Sequence, residues 1–245
     1  MAIYNITSQQ LKGTGILNSF EMSGVGSFPN VYSFAFDGSD DSIQLVNDIV
    51  LGTTNSVSFW IKRNDTAIAQ PLGCVTAWSD FLVRLQTTKI SFGRVPFIFD
   101  NSTTLSTINQ TSNWTHLLFS RNGANCNLFV NGVDNDGAKT NANASWQNKF
   151  RVIGGPGDGS TWLFNGNIDE VAVFDSVLSA TDASNIYNSG IPTSLASYSP
   201  LAWFRMGEEA SFDGTDWILT DQGSNGNNAT SENMAEDDRE EDVPS

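Results

Sequence analysis

The stretch 164–190, FNGNIDEVAVFDSVLSATDASNIYNSG, restricts the fold more than any other part of this chain. Ile168–Phe174 is dense in Val, Ile and Phe and reads as a strand. A two-residue period places Ile168, Glu170, Ala172 and Phe174 on one face and Asp169, Val171, Val173 and Asp175 on the other. A short helix is expected to follow. Ser179 is its N-cap, Asp182 stands in the capping-box position, and Ile186 and Tyr187 form its apolar face. Gly190 suits a left-handed stop after the last turn.

The rest of the chain reads as short strands joined by tight turns. Residues 31–36, 42–46, 56–62, 72–78, 81–86, 89–93, 114–121, 126–131 and 150–153 each carry a strand pattern. In 56–62, SVSFWIK, the residues Val57, Phe59 and Ile61 alternate with Ser58 and Trp60, giving one apolar face for a two-sheet sandwich. Asn122-Gly123 favours a type I′ hairpin turn, and Asn131-Gly132 marks the next turn. At 245 residues, an all-β chain is expected to bury one core. Residues 1–30 are polar and glycine-rich and read as an N-terminal arm. The net charge is −15, and 232–245 holds seven acids and one arginine, which reads as a solvated, mobile acidic tail over 231–245.

Three motifs, in chain order, carry a resemblance. They are SFAFDGSDDSIQL (33–45), NWTHLLFSRNGANCNLFVNGV (113–133) and the G-x-I-D-E-V-x-V-F…L-S…I-Y-x-x-G run ending at Gly190. Together they resemble laminin-G-like domains of the concanavalin A-like jelly-roll superfamily. The resemblance implies an all-β, two-sheet antiparallel jelly-roll sandwich over 31–230 with one short helix. Residues 200–230, PLAWFRMGEEASFDGTDWILTDQGSNGNNAT, resemble the segment that opens such domains, yet here they come last. The expectation is a circularly permuted domain in which 191–230 completes the sandwich. A remnant of a second repeat is the alternative.

A calcium site is the first chemical expectation. A hard cation needs six to eight oxygen ligands, and the 37–41 turn, DGSDD, is dense in them. The resemblance implies Ca2+ held by Asp37, the Gly38 carbonyl, Asp40 and Asp169. In the alternative, Asp37 and Asp40 cap their own turn. Glycoside hydrolysis needs two carboxylates about 5–10 Å apart across one bond. Strand alternation separates Asp169 and Glu170 onto opposite faces, and Asp175 lies about 20 Å further on. A non-enzymatic protein with no catalytic residues is therefore expected. His116 is the only histidine and reads as structural.

Carbohydrate binding is the main functional expectation. Loop aromatics Trp78, Trp146 and Trp162, with Asn131, Asp134 and Asp158, would supply stacking faces and hydrogen bonds, although rim tryptophans also serve as packing lids. The acidic body argues against nucleic acid and membrane as partners. Cys74 and Cys126 read as two buried thiols, with one bridge left open. No secretion signal is recognisable at the start. The opening residues and the late WFRMG…DQGSNGNNAT segment resemble laminin-G-like proteins of marine bacteriophages. That implies a virion decoration or host-adhesion protein, assembled in the host cytoplasm. It would be a homo-oligomer gripping other virion proteins through its arm and meeting a host surface glycan. An exported bacterial carbohydrate-binding module is the alternative, and a glycan-cleaving enzyme the distant third.

Overall fold

The computed structural model describes residues 28–74, 83–87, 89–93, 99–101, 108, 111–135, 137–140, 147–156 and 161–245. Its strands are β1 (Ser33–Asp37), β2 (Ser42–Leu51), β3 (Thr54–Arg63), β4 (Ala69–Gly73), β5 (Val83–Leu85), β6 (Ile90–Phe92), β7 (Phe99–Asn101), β8 (Thr115–Asn122) and β9 (Asn125–Val130). They continue as β10 (Val133–Asp134), β11 (Lys139–Thr140), β12 (Asn148–Ile153), β13 (Asn165–Phe174), β14 (Ala202–Phe204), β15 (Ala210–Phe212), β16 (Trp217–Leu219), β17 (Ala229–Glu232) and β18 (Arg239–Glu240). One helix, α1 (Ala180–Tyr187), follows β13.

These strands form two antiparallel sheets. The front sheet runs β10-β9-β8-β3-β13-β1-β18, with β11 on β9 and β14 on β13. The back sheet runs β15-β16-β17-β2-β12-β4-β5-β6-β7. The alternation in β3 is realised, since Val57, Phe59 and Ile61 join the core between the sheets. Rings meet across that core. Phe92 stacks on Phe119 at 4.7 Å, and Phe34 meets Trp217 edge-on at 5.2 Å. This is the expected concanavalin A-like jelly-roll sandwich.

A second apolar cluster lies on the outer face of the front sheet. Ala183 and Ile186 of α1 pack there with Leu118, Phe129, Phe174 and Trp203. The capping box forms, since the Asp182 N–H donates to Ser179 Oγ at 3.2 Å and the Ser179 N–H donates to Asp182 Oδ2 at 2.8 Å. The left-handed stop falls on Asn188 (φ 45°), two residues before the glycine expected to provide it. The β8–β9 loop is likewise shifted by one. It is Gly123-Ala124, with Asn122 paired to Asn125 and positive φ at Gly123.

Residues 200–230 contribute β14 to the front sheet and β15–β17 to the back sheet. Trp203 and Phe204 are buried, and β14 pairs with Val171–Val173 of β13. The expectation of a mobile tail over 231–245 is corrected. Arg239 and Glu240 pair with β1, Met234 is buried, and the Trp217 indole N–H donates to the Ala235 carbonyl at 2.8 Å. The Arg239 guanidinium sits over the rings of Tyr32 and Trp217. A run of acids reports its average polarity, and that average hides one buried methionine and a segment of ladder. Cys74 and Cys126 are both buried. The arm over 1–30 falls mostly outside the described residues. Among the described residues no helix is long and apolar enough to cross a membrane.

Phe204 is fully buried. Phe204→Ala is expected to cost about 3–5 kcal/mol in chemical denaturation of the full chain. A cost below about 0.5 kcal/mol, as for a surface site, would show that β14 is not part of the core.

Candidate functional site

One edge of β13 is shared by two strands. β1 pairs along Asn165–Ile168, and β14 pairs along Val171–Val173. Opposite the gap, β13 carries an extra residue. Asp169 is level with Trp60 and Ala172 with Ser58, so three steps on β13 match two on β3. Glu170 absorbs this bulge with φ +48°. The bulge resets the alternation. Ile168, Val171 and Val173 all join the inter-sheet core, so Asp169 and Glu170 both fall on the outer side. The expectation that they point to opposite faces is therefore corrected. Glu208, just beyond β14, joins them, and one oxygen from each of the three carboxylates lies within 4.8 Å of the others.

The hydrogen bonds of this cluster are incomplete. Asn30 Nδ2 donates to Asp169 Oδ2 at 2.8 Å, and the Glu170 N–H donates to Asp169 Oδ1 at 2.8 Å. Trp203 Nε1 and Arg205 Nε donate to Glu170 at 2.6 and 3.2 Å. Glu208 Oε1 accepts from the N–H groups of Val31 and Tyr32 at 2.5 and 3.0 Å. Glu208 Oε2 and Asn30 Oδ1 are shut from solvent and have no hydrogen-bond partner among the described residues. Burial, then the charge of Glu170, holds the Asp169 carboxyl well above the usual carboxylate range. Burial pushes Glu170 up to about 7, against the pull of Arg205 and the Trp203 indole. Three carboxylates thus share one guanidinium, and protons or a cation must neutralise the rest. The donors are all oxygens, two of them orphaned, which is the chemistry a hard cation such as Ca2+ takes.

The four expected calcium ligands do not converge. Asp37 pairs with Asn165, four residues from Asp169 and so about 13 Å along the strand. Asp37, Gly38 and Asp40 remain at the β1–β2 turn, where Asp37 Oδ1 accepts from the N–H groups of Ser39 and Asp40 at 2.7 and 3.3 Å. Asp41 Oδ2 accepts from the Asp37 N–H at 2.8 Å, and burial foremost pushes Asp41 up to about 6. The turn is self-capped, which is the alternative reading of Asp37 and Asp40. The oxygen neighbours of Asp169 are instead Asn30, Glu170 and Glu208, and Asn30 lies 139 residues away along the chain.

Of the expected sugar-contacting residues, the three that are described, Asn131, Asp134 and Trp162, do not come together in one site. Trp78, Trp146 and Asp158 lie outside the described residues. Asn131, at φ 49°, accepts the His116 N–H on its Oδ1 at 2.8 Å. Exposed Asp134 accepts from Asn127 Nδ2 and the Gly137 N–H, both at 3.1 Å. Both stand at the β9–β10 edge of the front sheet. Trp162 lies in the loop before β13 beside the back sheet, where its carbonyl accepts the Gln70 N–H at 2.7 Å and the Arg84 guanidinium lies 3.8 Å from its ring.

A cleft of 440 Å³ opens on the outer face of the front sheet. Trp60, Trp114 and Tyr187 line it, with Trp60 itself buried at 3% exposure, beside Lys62, Asn113 and Asp242. Trp60 and Tyr187 stack with centroids 5.6 Å apart. Beneath them His116 is fully buried, its Nε2 2.8 Å from Ser58 Oγ, and burial lowers its pKa to about 3. Local sequence pattern does not mark the cleft, because Trp60 reads as the non-core face of a strand and Tyr187 as the apolar face of a helix. Only the docking of α1 brings them together.

Residues 37–184 match the laminin G family model of the concanavalin A-like lectin/glucanases superfamily. This chain belongs to that superfamily. No curated protein sequence matches it. Three solved structures of similar fold set the superfamily context. A Bacteroides ovatus protein named as a candidate carbohydrate binder aligns with TM-score 0.63 at 13% identity, over 84% of this chain and 59% of its own. This chain therefore spans little more than half of that protein. Domain 4 of the GH43 extracellular arabinanase AbnA from Geobacillus stearothermophilus, solved with arabinotriose, aligns with TM-score 0.50 at 21% identity, over 63% of this chain and 76% of its own. The heptameric SAP-like pentraxin of Limulus polyphemus aligns with TM-score 0.52 at 15% identity, over 64% of this chain and 82% of its own. At these identities the likeness establishes the fold.

His116 supplies a pH test. With a folded pKa near 3 and an unfolded pKa near 6.5, the unfolded chain binds the extra proton between those values. Stability contributed by keeping His116 neutral is full above about pH 6.5 and declines as pH falls toward 3. Acid titration of unfolding free energy should show this slope flattened in His116→Gln. An identical slope in both proteins would contradict the burial argument.

Proposed function

We propose that this protein is a non-enzymatic, lectin-like glycan-binding module that uses the aromatic cleft of its front sheet. The cleft itself carries the reading. The half-buried rings of Trp114 and Tyr187, the latter stacked on buried Trp60, stand beside an ammonium and an amide and offer a sugar both stacking surfaces and hydrogen-bond partners. The superfamily, and the carbohydrate named for two of the similar structures, support it. The paired carboxylates of the bulge do not form a hydrolytic dyad. Asp169 and Glu170 are 0% and 2% exposed, so no glycosidic bond reaches them.

The proposed setting is a phage particle, with this module as a surface decoration or host-adhesion protein anchored by residues 1–30. The motif resemblance of the opening and late segments supports it, and many copies on one particle would compensate for weak single-site binding. An exported bacterial carbohydrate-binding module fits the fold equally well. We assign the bulge cluster as a structural Ca2+ site, held by Asp169, Glu170, Glu208 and Asn30. The ion would neutralise the carboxylates and pin 28–32 to 205–208.

A glycan array, probed with calcium and with EDTA, tests the reading. Tyr187→Ala should weaken any captured glycan at least tenfold, about 1.4 kcal/mol, without changing the melting temperature by more than a few degrees. Undiminished binding would remove the cleft from the site. Calcium should raise the melting temperature of the wild type and leave Glu208→Gln nearly unmoved. Equal responses in the two proteins would exclude calcium from the bulge cluster.

A further inference from the structure

One wall of the cleft belongs neither to the sheet nor to α1. After β18 pairs with β1, residues 241–245 turn across the outer face of the front sheet. Glu240 Oε2 accepts from the buried Asn167 Nδ2 at 2.8 Å, and Ser33 Oγ donates to the Asp242 carbonyl at 2.6 Å. The Asp242 carboxylate is then shared, with Lys62 Nζ donating to Oδ2 at 2.5 Å and Trp114 Nε1 donating to Oδ1 at 2.9 Å. The segment ends against the turn after α1, where a Cβ added to Gly190 would lie 3.6 Å from the Ser245 carbonyl oxygen. Asp242 and Val243 therefore line the cleft together with Trp60 and Tyr187.

Two consequences follow from the chemistry. The single ammonium of the cleft is already matched by Asp242, so its lining has no charge left for an anionic ligand. The chain as a whole carries −15, which repels sulfated or uronic-acid polymers. The strap, moreover, is held by a two-residue strand and a few side-chain bonds, which places it at the low-stability end of the fold. A ligand that touches only the docked strap must stabilise that docking, and the docked strap must in turn favour the ligand.

We infer that the cleft is a composite site for an uncharged sugar, whose movable wall is the 239–245 strap fastened through Asp242, so that strap docking and sugar binding are linked. This rests on the glycan-binding reading of the cleft. The strap is a conditional part of the site, and Asp242 is a positioning residue whose own oxygens are already engaged.

Hydrogen exchange and affinity, measured together on the full chain, test it. The probes are uncharged oligosaccharides (arabinotriose, maltotriose, cellotriose), with heparin fragments as the anionic comparison. An uncharged probe should bind wild type and slow amide exchange across 239–245, while heparin should not bind. Asp242→Ala should speed exchange in that segment and weaken the same probe at least tenfold with the melting transition of the body retained. Asp242→Asn, which keeps an acceptor for the Trp114 indole, should fall between. If both variants bind as wild type does while their strap exchanges freely, the composite site is overturned and the glycan reading stands. A preference for heparin overturns the uncharged class. Failure of wild type to bind any glycan removes the glycan reading, and the inference falls with it.

Discussion

Two collinear strands from opposite ends of the described chain, β1 and β14, fill one edge of β13. A buried strand must pair its backbone groups on both sides, and β1 alone covers only the first half of this ten-residue strand. β14 supplies the rest. With it come Trp203 over the α1 cluster and Phe204 in the inter-sheet core. The late segment is thus built into the centre of the front sheet, and the back sheet depends on it as well. There β17 pairs with β2, and Trp217 of β16 packs against Phe34.

The gap between β1 and β14 explains the chemistry that gathers there. Neither strand covers residues 169 and 170, and the chain uses the gap for its one bulge on β13. The segments entering β1 and leaving β14 necessarily meet at the same place, so Asn30 and Glu208 arrive beside Asp169. Arg205 links them. Its guanidinium donates to Glu170 and to the Pro29 carbonyl, and lies 3.9 Å from the Phe28 ring. Partnered carboxylates at a strand junction hold the geometry, and an uncompensated one makes it sensitive to protons and cations.

Charge elsewhere is managed by pairing at the surface. The strap spends Asp242 on Lys62 and Trp114, and β18 places Arg239 over two rings. The outer face of the front sheet is covered by α1 on one side and by the strap on another, and the cleft is the space they leave. That is why its lining mixes strand, helix and terminal residues, and why none of them forms a motif.

The sandwich, the helix after β13 and the capping box were legible in the sequence, because each rests on local periodicity or on residues three or four apart. Val57, Phe59 and Ile61 face the core as their alternation requires, and Ser179 caps α1 as its spacing to Asp182 requires. The pairing of Asp169 with Glu170 was not legible. A bulge inverts strand parity without leaving a mark in composition, and Glu170 adopts a left-handed conformation that its residue type does not announce. The partners Asn30 and Glu208, the packed acidic strap and the aromatic cleft likewise arise only when distant segments share one sheet edge or one outer face. The sequence by itself determined which faces are apolar and where turns fall, because those depend on neighbours along the chain. Tertiary structure alone decided which polar groups meet, because their proximity is set by strand register and by which edge of β13 each terminal segment occupies.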